Sequence, residues 1–160
     1  MDNLTPSQKG AVAEAAFTAA LIRLGLVVLR PVVEGNRYDL MIDLEPRLLR
    51  VQVKLGRRVG GAIAVQLQSN RCTPRGYVRT WYQADEIDAV GVYSHDLDRC
   101  YLLPIDEAAG RRGVHLRIEP ARNRQAQRIR WAADYELADM IRRLRRTGDP
   151  PALPEPRSAG

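Results

Sequence analysis

The chain has 160 residues, which suits one domain with a sizeable core, and 45% of them are apolar, as in ordinary globular proteins. Its net charge is +6 at pH 7, and residues 1–80 hold 12 basic against 6 acidic side chains, which favours an anionic partner. Two cysteines are too few for a disulfide framework, and the polar N-terminus has no signal-peptide profile, so we expect a cytoplasmic protein with reduced thiols.

The first predicted element is a helix that starts at Thr5-Pro6-Ser7-Gln8 and ends at Gly25. A threonine N-cap, a proline in the first turn and a glutamine three residues after the cap form a capping box, and glycine is a good C-terminal cap. Residues 11–29 are apolar enough to suggest a membrane span, but Glu14 and Arg23 interrupt them where charge is costly in lipid. We therefore expect a buried helix and no membrane association.

Short apolar segments after this helix predict strands. Residues 48–55 alternate between apolar and polar side chains, which is typical of a half-buried strand, and turn residues at 34–36 and 45–46 bound the segments before it. The predicted strands are 26–33, 38–44, 48–55, 62–68, 89–94, 100–105 and 115–118, and we expect 89–94 and 100–105 to pair as a hairpin. We predict a loop at 69–83, a helical turn at 84–88 and a short helix at 106–109.

The last predicted element is an amphipathic helix, roughly Ile129–Arg146, with Trp131 and Met140 on its apolar stripe. Residues 147–160 form a Pro-rich tail that we expect to be frayed. The predicted fold class is α/β (α+β), with a central mixed, mostly antiparallel sheet, an N-terminal helix and a flanking C-terminal helix. We expect residues 1–146 to form one domain.

Glu14 is a lone carboxylate in the apolar part of the first helix. A buried carboxylate has to be paired, metal-bound or protonated, because isolated burial of its charge is prohibitive. The alternative is that Glu14 faces water on the helix edge, which is the more common arrangement for an isolated glutamate.

Asp39, Gln52 and Lys54 lie on neighbouring predicted strands. Gln52 and Lys54 are two residues apart, so their side chains project from the same face of a strand. Asp39 opens the preceding strand of an expected antiparallel hairpin, which would bring all three side chains together. The alternative is an ordinary half-exposed hairpin with polar side chains on its outer face.

Together with Glu14, these residues match the needs of phosphodiester hydrolysis. A divalent cation neutralises the phosphate, orients water and stabilises developing charge. Mg²⁺ prefers hard oxygen ligands, which Asp39, Glu14, the Gln52 side-chain carbonyl and the Val53 backbone carbonyl can supply. Lys54 can orient or deprotonate the attacking water or stabilise the transition state. We therefore predict a site for Mg²⁺, with Mn²⁺ as an alternative ion.

This ordered set resembles the PD-(D/E)xK nuclease superfamily, whose core is a helix followed by a curved hairpin that carries Asp and (Glu/Asp)-x-Lys. The resemblance lies in KGAVAEAAF, RYDLMIDLEPRLLRVQVK and YQADEIDAVGVYSHDLDRCYLLPI, within about residues 5–105, and points to the group I intron-associated homing endonuclease branch. It implies a restriction-endonuclease-like core. It also implies that Glu14, Asp39, Gln52 and Lys54 occupy the helix-acid, Asp, acid-equivalent and Lys positions.

The sequence departs from the superfamily pattern at Gln52, where an acid is usual. Glutamine is a weaker Mg²⁺ ligand than carboxylate, which leaves the number of bound ions open, although the branch that this chain resembles also has glutamine there. Of the 25 basic residues only Lys9 and Lys54 are lysines. Genomic base composition explains such a skew, but the two lysines are then enriched for places where a compact ammonium is needed.

Basic and amide side chains around and after the hairpin are candidates for DNA contact. Arginine binds phosphates or reads guanine edges, and glutamine and asparagine read adenine edges. The alternative is a solvated strand with arginines covering aromatic rings. The predicted DNA-binding residues are Lys9, Arg57, Arg58, Gln66, Gln68, Asn70, Arg71, Arg75 and Arg79, and residues 121–130 form a second basic patch.

The sequence thus predicts a metal-dependent endonuclease that hydrolyses double-stranded DNA, site-specific in the manner of a homing endonuclease. Two alternatives stay open: a structure-selective nuclease of the Holliday-junction-resolvase kind, and a non-catalytic DNA-binding protein with a decayed nuclease core, for which Gln52 is the best argument. Because so small a domain reads only a short site, we expect a homo-oligomer, a dimer or tetramer, that uses symmetry to cut both strands.

Overall fold

A computed structural model of the protein describes residues 1, 3–33, 35–73, 76–120 and 129–147. The helices are α1 (Pro6–Arg23), α2 (Ile105–Ala108) and α3 (Leu137–Thr147), and a 3₁₀ turn covers Ala132–Tyr135. The strands are β1 (Val27–Leu29), β2 (Leu40–Asp43), β3 (Leu48–Val59), β4 (Ala62–Gln66), β5 (Ser69–Thr73), β6 (Gly76–Thr80), β7 (Ala89–Ser94), β8 (Arg99–Pro104) and β9 (Gly113–Arg117).

Helix α1 begins where the capping signal predicts. The Gln8 N–H donates to Thr5 Oγ1 at 3.2 Å, and the Thr5 N–H donates to Gln8 Oε1 at 2.8 Å, so the capping box is complete. At the other end Gly25 has a φ of 72°, the left-handed conformation that glycine adopts without strain. Both predicted ends of the helix are confirmed.

Strand β3 is the centre of a seven-stranded mixed sheet. On one side its first residues pair with β2 and its last residues with β4, both antiparallel, and on the other side its middle pairs with β7 in parallel. Strands β1 and β9 extend the first side and β8 the second. This sheet with flanking helices confirms the predicted fold class.

Alternation along β3 divides the interior into two hydrophobic clusters. Leu49, Val51 and Val53 pack with residues of α1 and α3 on one face. Helix α1 lies close to the sheet because Gly91 of β7 has no side chain: a Cβ there would lie 2.7 Å from Phe17 Cζ. The opposite face carries a second cluster formed mainly by β4, β7, β8, β9 and the 82–87 segment.

Four predicted elements were wrong in extent or type. The strand predicted at 48–55 runs to Val59 as β3. The strand predicted at 26–33 covers only Val27–Leu29, and Pro31, which has no N–H to donate, lies beyond it. The predicted loop at 69–83 contains the antiparallel ribbon β5–β6. The predicted helix from Ile129 to Arg146 is interrupted, because Glu136 is extended and bridges to Tyr101 of β8, so α3 starts at Leu137.

Some predicted segments lie outside the described residues, namely positions 121–128 of the second basic patch and positions 148–160 of the Pro-rich tail. Within the described ranges, no helix is long and apolar enough to cross a membrane.

Candidate active site

The β2–β3 hairpin places Asp39 directly opposite Gln52. Leu40 pairs with Val51, so Asp39, immediately before β2, continues the register to Gln52. Asp39 Oδ2 accepts hydrogen bonds from Gln52 Nε2 at 2.5 Å and from the Val53 N–H at 2.7 Å, and the Asp39 N–H donates to the Val51 carbonyl at 3.0 Å. Asp39 is therefore held against β3 by three hydrogen bonds.

The site occupies a gap in one edge of the sheet. Among the described strands, β2 pairs with β3 only as far as Val51, and β4 begins to pair at Gly56. The N–H and C=O of one strand residue point to the same side, and the Val53 N–H is bonded to Asp39. The Val53 carbonyl therefore also faces the gap, where it is available to a ligand.

Glu14 approaches the gap from α1. Its Oε2 lies 3.6 Å from Arg30 Nη1, and the Arg30 Nη2 donates to Thr18 Oγ1 at 2.9 Å, one helical turn beyond Glu14. The Glu14 side chain is one-third exposed and the Arg30 side chain about half exposed. Glu14 is thus ion-paired, which differs from the simple alternative of a glutamate facing only water.

Both carboxyl groups have raised pKa values. Burial raises the pKa of Asp39 more than the Val53 N–H and the charges of Lys54 and Arg30 lower it. Burial also raises the pKa of Glu14, and the negative charge of Asp39 raises it further, whereas Arg30 and Lys54 lower it. The charged forms of both carboxylates are thus disfavoured, and a bound cation would stabilise them.

Lys54 lies on the same face of β3 as Gln52 and contacts a buried aromatic ring. Its Nζ is 5.2 Å from the centroid of the Tyr82 ring, and the Arg37 guanidinium is 4.7 Å from the same centroid. Tyr82 is only 3% exposed. The ammonium is therefore near enough to both carboxyls to lower their pKa values while it rests over this ring.

The oxygen atoms around the gap fit a hard divalent cation. Within the described part of the chain, no three His, Cys, Asp or Glu side chains come together as a metal-binding group. A complete ligand set would therefore have to combine the Asp39 and Glu14 carboxylates with the Gln52 side-chain oxygen and the Val53 carbonyl. Such oxygens suit Mg²⁺ or Mn²⁺ rather than softer metals.

The predicted DNA-binding residues are distributed over several places. Arg57 and His115 both pair with Ala64, so they share one sheet face, and both are exposed. Gln66, two residues further along β4, is exposed on the same face. Lys9 on α1 and Gln68 after β4 are partly exposed.

Arg58 lies in a more constrained position than Arg57. Its Nη2 lies 2.7 Å from Glu119 Oε1, and its N–H donates to Asp96 Oδ2 at 2.9 Å. Its guanidinium thus already has an ionic partner. Arg75 and the side chains of Asn70, Arg71 and Arg79 lie outside the described part of the structure.

A family model described as PD-(D/E)XK endonuclease matches residues 4–138 of the chain. The chain belongs to the PD-(D/E)XK endonuclease family. Among solved structures, it is similar to a bacterial homing endonuclease, I-Ssp6803I, with a TM-score of 0.71 and 26% identity over 91% of this chain and 96% of that chain. No curated protein matches the sequence.

Membership of the PD-(D/E)XK endonuclease family confirms the resemblance predicted from the sequence and identifies the protein as a nuclease. The matched residues include Glu14, Asp39, Gln52 and Lys54, which the fold brings to one gap. The family's name describes an Asp followed by an acid-x-Lys sequence. In this chain Asp39 and Lys54 fit that description, and Gln52 replaces the second acid.

Three side chains at the gap were not predicted as site residues, namely Arg30, Arg37 and Tyr82. Arg30 follows β1 and Arg37 precedes β2, and no local pattern distinguishes either one from the other arginines of the chain. Tyr82 falls in the stretch predicted as a loop. All three reach the site through tertiary packing, which spacing along the chain does not show.

Proposed function

We propose that the protein is a divalent-metal-dependent endonuclease that cleaves double-stranded DNA at specific sites, with residues 1–146 as its nuclease domain. The observation that carries this proposal is the sheet-edge gap beside Val53, where Asp39 accepts hydrogen bonds from Gln52 and the Val53 N–H and has Lys54 as an electrostatic neighbour. Membership of the nuclease family supports the reaction, and the similarity to a bacterial homing endonuclease supports site specificity.

Asp39, Glu14, the Gln52 side-chain oxygen and the Val53 carbonyl would hold the cation, Mg²⁺ or Mn²⁺. When bound, the cation supplies charge neutralisation at the scissile phosphate and lowers the pKa of a bound water. The raised pKa values of Asp39 and Glu14 support this assignment, because both carboxylates gain a partner for their charge when the ion binds.

Lys54 is the proposed catalytic side chain with a positive charge. Its ammonium has three N–H donors, which would orient the attacking water and stabilise the negative charge that develops on the phosphoryl oxygens. Gln52 and the Val53 N–H hold the Asp39 carboxylate in place, and the charge of this ammonium lowers the pKa of Asp39. Arg30, about half exposed beside Glu14, would bind a neighbouring phosphate of the same strand.

DNA contact would extend from the gap along β3. Arg57 lies three residues after Lys54, or about 10 Å along the strand, on the opposite sheet face, and it shares that exposed face with Gln66 and His115. Arginine and glutamine there would contact phosphates or base edges. We further propose a homo-oligomer, a dimer or tetramer, because one such centre cuts one strand and symmetry would supply the second.

The test is incubation of the purified protein with plasmid DNA and Mg²⁺, with and without a chelator, beside the Asp39→Ala variant. We expect nicked and linear DNA only with wild type and free Mg²⁺. The matched control is Arg99→Ala, whose side chain pairs with Glu136 on the surface, and it should cleave like wild type.

Two results would contradict the proposal. Salt-sensitive DNA binding without cleavage at any Mg²⁺ or Mn²⁺ concentration would indicate the non-catalytic alternative. Faster cleavage of a four-way junction than of linear duplex would indicate the structure-selective alternative.

A further inference from the structure

The Tyr82 ring contacts two positively charged side chains of the candidate active site, Lys54 and Arg37. The ring is within 5.2 Å of Lys54 Nζ and 4.7 Å of the Arg37 guanidinium, measured to the ring centroid. A cation within about 6 Å of an aromatic face is attracted to it, and the attraction grows as water is excluded. Since Tyr82 is 3% exposed, the ring is itself fixed by the core.

Arg37 anchors the segment that carries Tyr82. Its Nη1 donates to Thr80 Oγ1 at 3.0 Å, and its Nη2 donates to the Trp81 carbonyl at 2.9 Å and to Glu86 Oε2 at 2.9 Å. Residues on both sides of Tyr82 are thus bonded to one arginine. Because Arg37 is two residues before Asp39, it also connects this segment to the start of β2.

A catalytic Lys54 needs a contact that restricts the position of its side chain. A lysine side chain has four rotatable bonds, and fixing it costs conformational entropy. The ion pairs formed among the described residues do not include Lys54. The Tyr82 ring is therefore a contact of the described structure that can restrict where the ammonium lies.

We propose that Tyr82 is a positioning residue that holds the Lys54 ammonium beside Asp39, with Arg37 fixing the ring. The catalytic consequence rests on the proposed nuclease function, whereas the contact between the ring and the ammonium does not. The two are therefore tested separately.

The contact is tested by nuclear magnetic resonance, because Lys9 and Lys54 are the only lysines. Protein labelled with ¹³C at the lysine ε-carbon gives two lysine signals, and the ring current of Tyr82 should shift the one from Lys54. We expect Tyr82→Phe to keep this shift and Tyr82→Leu to move the signal towards that of Lys9. A Lys54 signal that is the same in wild type and Tyr82→Leu would overturn the proposal.

The catalytic consequence is tested by single-turnover cleavage at saturating DNA. Loss of a cation–π contact corresponds to about a two- to thirtyfold change, so we expect Tyr82→Leu to be slower by that factor and Tyr82→Phe to match wild type. DNA affinity, measured with Ca²⁺ in place of Mg²⁺, should stay within about twofold, because Tyr82 is buried. A slow Tyr82→Phe variant would contradict the role of the ring.

The matched control is Tyr101→Leu, since Tyr101 is 1% exposed and belongs to the same hydrophobic cluster as Tyr82. It loses similar packing and should keep the wild-type rate at a temperature where it is folded. Equal slowing in both leucine variants would overturn the proposal. If Tyr82→Leu unfolds, Tyr82→Met gives the same comparison without a ring. If wild type cleaves no DNA, the proposed function fails, and the lysine signals still decide the contact.

Discussion

Arg50 and Lys54 lie on the same face of β3, four residues apart, and the two side chains differ in how their charges are paired. At Arg50, the backbone N–H donates to Asp88 Oδ2 at 2.7 Å, and the guanidinium donates to both carboxylate oxygens at 3.1 Å. The Asp88 N–H returns a hydrogen bond to the Arg50 carbonyl at 2.9 Å. The charges of Arg50 and Asp88 are therefore paired with each other within the fold.

The group around Lys54 is not satisfied in this way. Asp39 and Glu14 both have raised pKa values, the Glu14–Arg30 contact is 3.6 Å long, and Lys54 rests over a ring instead of pairing with a carboxylate. Charges that pair with one another within the fold favour a structural role, whereas unpaired charges close together make a candidate site for an external ion or phosphate. The difference therefore predicts a structural role for Arg50 and Asp88 and a functional role for the group around Lys54.

The largest effect should come from Asp39→Asn. We expect the cleavage rate to fall at least about a hundredfold, because the variant removes a charged ligand for the cation. Asparagine keeps an oxygen that accepts from the Val53 N–H. Single-turnover cleavage in Mg²⁺ measures the rate, and an unchanged rate would contradict the assignment of Asp39.

The same variant should not lower the melting temperature in chelator at pH 7–8. A carboxyl whose pKa is raised by folding binds its proton more tightly in the folded state, so its stabilising contribution is present below the ordinary pKa of 3.8 and is lost as the pH rises through the raised value. At pH 7–8 the charged Asp39 therefore opposes folding. A clear drop in melting temperature for Asp39→Asn would assign Asp39 a structural role.

Asp88→Asn should behave in the opposite way. Replacing this carboxylate weakens three hydrogen bonds from Arg50, and we expect a loss of about 1–3 kcal/mol in the free energy of unfolding. The cleavage rate should stay within about threefold of wild type where the variant is folded. Urea unfolding and single-turnover cleavage measure the two quantities, and a large loss of activity at full stability would remove the contrast between the two groups.

Gln52→Glu should have a smaller effect, which lowers stability in chelator and raises the affinity for Mg²⁺. The Gln52 N–H that donates to Asp39 would be replaced by a third carboxylate. In chelator we expect the free energy of unfolding to fall by about 1 kcal/mol, because like charges then face each other, whereas Mg²⁺ should bind more tightly. Denaturation in chelator and Mg²⁺ titration check the two directions. Weaker Mg²⁺ binding in this variant would exclude position 52 as a ligand.

Arg30→Ala should have the smallest effect. The side chain is about half exposed and its contact with Glu14 is long, so we expect little change in stability. Its loss as a phosphate-binding group should raise KM by about three- to tenfold with a smaller change in kcat. Arg30→Lys should recover part of this loss, and a KM equal to that of wild type would exclude phosphate contact.

Local signals predicted much of the fold. The capping box set the start of α1, and strict alternation in β3 placed Gln52 and Lys54 on one face. The β7–β8 hairpin was also predicted from neighbouring residues, because its strands are short apolar runs joined by a polar turn. These features depend on residues that are close in the chain.

Features that depend on distant residues were missed. The break before α3 arises because Glu136 bridges to Tyr101, and the contacts of Arg30 and Arg37 cross from one element to another. The sheet-edge gap beside Val53 exists because β3 pairs with β2 only up to Val51 and with β4 only from Gly56, so four residues of β3 lie between the two pairings. The roles of Glu14, Asp39, Gln52 and Lys54 stay predictions that the geometry supports.

The most direct test of the contrast on β3 is the melting temperature as Mg²⁺ or Mn²⁺ is added, measured for wild type, Asp39→Asn and Asp88→Asn. A cation that binds only the folded state raises the melting temperature by an amount that grows with the logarithm of (1 + cation concentration/Kd). We predict that wild type and Asp88→Asn gain by the same increment and that Asp39→Asn gains none. An equal gain in Asp39→Asn would show that the cation does not bind at the gap.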